Sequence, residues 1–228
     1  MNKPLVIITG ASSGIGAAIA SQFASLGYPL GLISRNLKAM QELGLPNTLC
    51  IAADVTDYDD LKNAIKTIED KFGDIVDCLV NNAGYMQFGD FSELTHDSHE
   101  RTVKTNLMGV MNGIEAVLPG MRERKRGTII NISSLSDRNA RPLVPVHAAT
   151  KAAVKSLSES LRMANAKYGI RICNIAPAKV QTPMVTQNVP ENQIMNVEYV
   201  ANTVRWIYEQ PQEICIRDIV IAATFYEA

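Results

Sequence analysis

Apolar and polar positions follow two different periods along this chain. Short runs rich in β-branched residues lie near 4–9, 30–34, 48–52, 76–80, 127–133, 170–175 and 217–222, and between most of them apolar residues return every three or four positions. The first pattern fits strands buried on both faces, and the second fits amphipathic helices. Strand, helix and strand close as a right-handed crossover, so repetition of that unit predicts a mostly parallel, seven-stranded sheet covered by helices on both sides. The expected class is α/β, a doubly wound single domain over residues 1–228. In the helix after Thr95, one apolar stripe is expected from Val103, Leu107, Val110, Ile114 and Val117. A helix from about Pro145 to Lys167 carries Ala148, Ala149, Ala152 and Ala153 beside Val154, Leu157 and Leu161, small enough for another helix to approach, as at a subunit interface. The long irregular stretch 177–196 is expected to form a substrate lid, with Met184 and Met195 as adaptable packing.

Ligands of such a sheet gather at the carboxyl ends of its strands, where Thr9, Asp54, Asn81 and Ser134 are expected. The run Thr9-Gly10-Ala11-Ser12-Ser13-Gly14-Ile15-Gly16 joins the apolar Leu5-Val6-Ile7-Ile8 to Ala17-Ala18-Ile19-Ala20. A strand therefore turns through three glycines directly into a helix, whose free amides and positive dipole end face a pyrophosphate. About 19 residues beyond Gly16, where the adenosine ribose is expected, the chain reads Ser34-Arg35-Asn36. A ribose 2′-hydroxyl calls for an acid there. Arg35 instead offers a fork of donors for a 2′-phosphate, with the Ser34 hydroxyl beside it, so NADP(H) is preferred and NAD(H) remains possible. The plainer reading is an exposed arginine opening a helix.

The spacing Gly10-x3-Gly14-x-Gly16, with Thr in front and Ser-Ser inside, resembles the cofactor loop of the short-chain dehydrogenase/reductase superfamily. That resemblance implies a Rossmann-type fold and assigns roles to further residues. Asp54 and Val55 would meet the adenine, with Thr56 at hand to cap the following helix. Asn81-Asn82-Ala83-Gly84 looks like the family's turn beside the nicotinamide ribose, where Asn82, Ala83 and Gly84 would border the cofactor. Pro177-Ala178-Lys179-Val180-Gln181-Thr182 resembles its nicotinamide segment, with Pro177, the Val180 backbone and the Thr182 side chain as candidate contacts. Ser134 takes the place of the serine that orients the substrate oxygen, Asn106 that of the asparagine supporting a proton-relay water, and Lys151 that of the lysine holding the ribose. Thirteen residues after Ser134 the family has its acid/base tyrosine, and here stands His147. His147 and Lys151 are four apart and share a helix face. Imidazole transfers protons near neutral pH, but it is shorter than phenol, and a cationic Lys151 disfavours its protonated form. A bridging water would restore the reach. Asp137 and Ala178 stand where the family commonly has glycine, and both are expected to reshape the substrate side.

Composition narrows the alternatives. The chain has 228 residues, is 46% hydrophobic and has a formal charge of -1, enough for a large core and no encouragement to nucleic-acid binding. The basic cluster Arg122-Glu123-Arg124-Lys125-Arg126 reads as a solvated helix end, and Arg138 and Arg141 read as surface solubility more readily than as anchors for an anionic substrate. Cys50, Cys78, Cys173 and Cys215 show no paired spacing and are expected as buried free thiols, with no metal site. With neither a signal-like start nor a membrane-length apolar run, a cytoplasmic, membrane-free protein is expected. The leading function is NADP(H)-dependent hydride transfer between nicotinamide and a small-molecule carbonyl or secondary alcohol, in a homodimer or homotetramer. The alternative is a non-catalytic NADP(H)-binding sensor or assembly protein, suggested by His147.

Overall fold

The computed structural model describes residues 3–185 and 189–226. All seven expected strands form: β1 (Val6–Thr9), β2 (Leu30–Ser34), β3 (Thr48–Ala52), β4 (Cys78–Asn81), β5 (Gly127–Ile132), β6 (Ile170–Pro177) and β7 (Asp218–Ile221). Their order in the sheet is β3-β2-β1-β4-β5-β6-β7, and every neighbouring pair is parallel. The chain winds outward from β1 in one direction and from β4 in the other, so the crevice between these two strands is the switch point where such sheets receive ligands.

Successive side chains on each strand feed opposite layers. Val6, Ile8, Val80 and Ile130 pack with Ile19 and Phe23 of α1 (Gly14–Ser25) and with Val204 and Ile207 of the last helix. Ile7, Leu79 and Ile129 face the other way, onto Leu61, Ile65 and Ile68 of the third helix and Val110, Ile114 and Val117 of the fifth. The helices between are α2 (Leu37–Gln41), α3 (Tyr58–Phe72), α4 (His96–Val103), α5 (Gly109–Arg124), α6 (Pro145–Asn165) and α7 (Val197–Glu209). Among the described residues no helix is long and apolar enough to cross a membrane.

The expected stripe after Thr95 is broken. A π-helical turn, Lys104–Met108, joins α4 to α5. Its extra residue rotates the helix face by about one residue's 100°. Val110, Ile114 and Val117 are buried, but Val103 is 39% exposed and Leu107 is half-buried, while Asn106 is turned fully inward. Helix α6 ends two residues before Lys167, at a short 3-10 turn closed by Gly169 in the left-handed region. Ala149 and Ala152 lie on its exposed side.

Three local expectations are refined. The end of α5 is solvated, with Arg122, Glu123, Lys125 and Arg126 exposed, and it is anchored as well: Arg122 Nε donates to Asn165 Oδ1 at 2.7 Å, Arg124 Nη2 to the Val76 carbonyl at 2.5 Å and Arg126 Nε to Asp77 Oδ1 at 2.8 Å. Of the four free cysteines, Cys78 and Cys173 are buried, with burial pushing both thiols up, but Cys50 and Cys215 are partly exposed because they sit nearer the sheet's edges. The cap of α3 is Asp57, whose carboxylate accepts from the Asp60 amide at 3.0 Å, because the Thr56 hydroxyl is turned back to donate to Asp54 Oδ1. Asp57→Ala is therefore expected to cost about 1 kcal/mol of stability in urea unfolding, within the usual range for a lost N-cap; an unchanged midpoint would count against this cap.

Candidate active site

The glycine loop is held by the end of β4. Thr9 Oγ1, at the last position of β1, accepts from the Asn82 and Ala83 amides at 3.1 and 3.2 Å. Asn82 Nδ2 in turn donates to the Thr9 and Gly10 carbonyls, both at 3.1 Å. This clasp leaves no space for side chains. A Cβ on Gly10, at φ +66, would stand 2.7 Å from Ala83 Cα, and one on Gly16 would run into the Gly10 carbonyl oxygen. Helix α1 then starts with Ser13 as an N-cap that makes no side-chain cap bond, unlike Asp57 and Thr95 at the starts of α3 and α4. Its first amides are thus left for an anion, and the loop fits a pyrophosphate.

A cavity of about 460 Å³ opens above this turn. Gly10, Ser12, Ser13, Gly14 and Ile15 form its floor, and Ser34, Arg35, Asp54 and Val55 one end. Asn82, Ala83, Gly84, Lys151 and Thr182 complete the expected contacts that line it, whereas Gly16 lies beneath the loop. At the rim, Ser34 Oγ donates to Ser12 Oγ at 2.9 Å, and Arg35 stands 3.9 Å from Asp54 with 63% of its side chain exposed. Burial opposes the charge on Asp54, but hydrogen bonds from the Thr56 amide and hydroxyl, with Arg35 nearby, outweigh it and hold the carboxyl below its usual range. Asn36, not Arg35, caps α2.

A second cavity, of about 180 Å³, adjoins the first. His147 lines both, Lys151 only the first, and Ser134, Pro177 and Val180 only the second. Pro145 at the first turn of α6 starts the helix so that His147, Thr150 and Lys151 face inward. The Lys151 ammonium donates to the Ile132 carbonyl at 2.7 Å. Burial lowers its pKa to about 8, against the attraction of Asp137. Burial and then the charge of Lys151 push His147 down to about 3, opposed by hydrogen bonding to the Tyr85 backbone. The imidazole is therefore neutral at neutral pH. Asn106 lies under it, outside both cavities, with Nδ2 3.4 Å from His147 Nδ1. Its amide also clamps the Tyr85 backbone, accepting from the N–H at 2.7 Å and donating to the carbonyl at 2.9 Å. The Ser134 hydroxyl accepts from the Ser136 amide at 3.2 Å, which leaves its proton free to meet a ligand oxygen.

Comparison with known proteins agrees with this architecture. The family model for short chain dehydrogenases matches residues 4–193. The chain is a short-chain dehydrogenase. An uncharacterized oxidoreductase of Listeria innocua is 33% identical to it over 98% of both chains. A glycine betaine reductase of Emericella nidulans is 31% identical over 97% of this chain, which spans only 19% of that relative. A 3-oxoacyl-[acyl-carrier protein] reductase of Brucella melitensis, solved with bound NAD, superimposes with a TM-score of 0.86 at 32% identity, covering 100% of this chain and 92% of that one.

In this dehydrogenase the two departures from the family's glycines have different consequences. Asp137 lines neither cavity. It accepts from Arg138 at 2.6 Å and from Asn174 at 2.9 Å, and its carboxylate favours the charged form of Lys151 from behind the site. Ala178 does line the second cavity, its amide donating to the Ile221 carbonyl at 2.8 Å. Arg138, read as a surface residue, is instead clasped by Asp137 and Asp218. The 177–196 stretch is pinned at its base by a bridge between Val180 and Met195, in which the Gln181 and Met195 amides are used and those of Val180 point away. Met195 packs under it and Met184 borders both cavities; residues 186–188 of this stretch lie outside the described ones.

Sequence reasoning missed Tyr85, whose backbone couples Asn106 to His147, and Met86 and Ser133, which line both cavities. Only their nearness to Gly84 and Ser134 could have flagged them. With a pKa near 3, the ring resonances of His147 are expected to stay fixed between about pH 5 and pH 7, below the range in which Lys151 titrates, in an NMR titration. A midpoint inside that window would mean that the ring carries charge where the geometry keeps it neutral.

Proposed function

We propose that this dehydrogenase transfers a hydride between NADP(H) and the carbonyl carbon of a small molecule, or the matching secondary alcohol. The observation that carries the reading is the place of His147, on the wall shared by the nucleotide-sized cavity and the smaller one. Bound in the larger cavity, the nicotinamide would supply or accept the hydride. The α1 amides would hold the pyrophosphate, Asp54 and Val55 the adenine, and Lys151 with the Asn82–Gly84 turn the nicotinamide ribose. Pro177, Thr182 and the free Val180 backbone would face the carboxamide. Arg35 and Ser34 favour a 2′-phosphate, although NAD(H) also has room. The 177–196 stretch would cover the substrate, and exposed Met111, Ala149 and Ala152 support assembly into a homodimer or homotetramer of a cytoplasmic enzyme.

In this reading Ser134 donates to the substrate oxygen, and His147 passes it a proton directly or through a held water. With Nδ1 facing Asn106, the neutral ring would do this from its other nitrogen by holding a water in the cavity, which gives its proton to the substrate oxygen and regains one from solvent. Lys151 supplies the positive charge behind it, and Asn106 fixes the ring's direction. His147→Phe is expected to lower kcat by about 10²-fold or more, the scale of a lost general acid/base, with dinucleotide affinity retained. Unchanged turnover would remove His147 from the chemistry. A second reading, a non-catalytic NADP(H) sensor, is favoured by the depressed basicity of His147; binding without turnover in the wild type, and turnover only in His147→Tyr, would establish it.

For the nucleotide, Arg35→Ala is expected to weaken NADPH binding by about 10- to 100-fold in a fluorescence titration, as for a lost charge-assisted contact, and to leave NADH within about twofold. Equal losses for both dinucleotides would contradict a 2′-phosphate site.

A further inference from the structure

The second cavity has a charge pattern that hydride transfer does not require. Two cations, Arg141 and Lys179, line it, and no acidic side chain does so among the described residues. Neither takes part in an ion pair among the described residues. Arg141 Nη2 is buried and has no hydrogen-bond partner there. Arg138, three residues earlier, shows the usual solution, with its guanidinium closed onto Asp137 and Asp218. A buried donor of a charged group left without an acceptor is costly, and the cavity that Arg141 borders has room for one. The other walls are largely apolar, with Phe88, Leu135, Val144 and Met184 among them. Such walls strengthen an ion pair formed between them.

Resting on the proposed hydride transfer, we infer that the substrate is an anionic carbonyl compound whose carboxylate or phosphate binds Arg141, with Lys179 as the second cation. The guanidinium fork matches either group. At about 180 Å³ the cavity is below the roughly 300–1,000 Å³ of sites for drug-sized ligands, so the body of the substrate is short. Ser134 and His147 at its inner wall would meet the carbonyl while Arg141 holds the charged end.

The test measures binding rather than turnover. Short oxo acids, with the keto group alpha, beta or gamma to the carboxylate, are titrated calorimetrically into the protein saturated with NADP⁺, each beside its neutral methyl ester. A second arm compares short keto phosphates with their dephosphorylated counterparts. The charged member of one arm is expected to bind about tenfold tighter or better, and that arm names the group. Arg141→Met should abolish the preference, Arg141→Lys should keep part of it, and Lys179→Met should reduce it several-fold, each variant first shown by circular dichroism to be folded. No charge preference in either arm, or a preference unchanged in Arg141→Met, overturns the inference. The titrations are repeated without nucleotide. Failure of NADP⁺ to bind would sink the oxidoreductase reading, while Arg141-dependent anion binding in that same protein would leave this site standing.

Discussion

The clasp between Thr9 and Asn82 is the contact on which the functional surface depends. It joins the carboxyl ends of β1 and β4, the two strands from which the chain winds away in opposite directions, and it uses four hydrogen bonds between 3.1 and 3.2 Å to do so. The carbonyls of Thr9 and Gly10 are consumed by Asn82, and the Gly10 and Ala11 amides by the Ile33 carbonyl, so the amides left to the turn are those that open α1. That polarity suits an anion. Side chains are excluded for the same reason: Gly10 and Gly16 lie so close to Ala83 and to each other that any Cβ would force the clasp open.

Charge is arranged around the site in layers. Taking an ammonium out of water costs several kcal/mol unless it is matched, and Lys151 is matched by the Ile132 carbonyl in contact and by Asp137 at a distance. Asp137 is itself neutralised by Arg138, which is shared with Asp218, and Lys155 lies 3.9 Å from Asp218. The cation thus stays close to its titration point instead of being locked in one form. His147 occupies the remaining space above Asn106, and burial, with the neighbouring charge of Lys151, keeps it neutral.

The π-helical turn shows why part of the site escapes periodic reasoning. Asn106 stands three residues after Val103 and four before Val110, so a regular helix would put all three on one face. Across the wider turn Val103 is 39% exposed while Asn106 is 0% exposed, with its amide on the Tyr85 backbone and beside His147. Nothing in the local pattern of Lys104-Thr105-Asn106 announces the extra residue, because its reward is made by partners 21 and 41 positions away in the chain.

Local chemistry is what the chain declares openly. β-branched runs become strands because both of their faces find helices, and the glycines mark the turn into α1 because a Cβ at Gly10 or Gly16 would collide with backbone and Gly14 has a positive φ. The positions of Ser134, His147 and Lys151 follow from spacing along one strand end and one helix face. What folding alone settles is which charges find partners. Arg138 and Arg141 look alike in sequence, yet one is closed onto Asp137 and Asp218 and the other is left bordering a cavity. Asp137 looked like a substrate-side change and turns out to sit behind the lysine. Such outcomes depend on long-range neighbours, since electrostatic energy is set by distance and burial between groups that the linear order of residues keeps far apart.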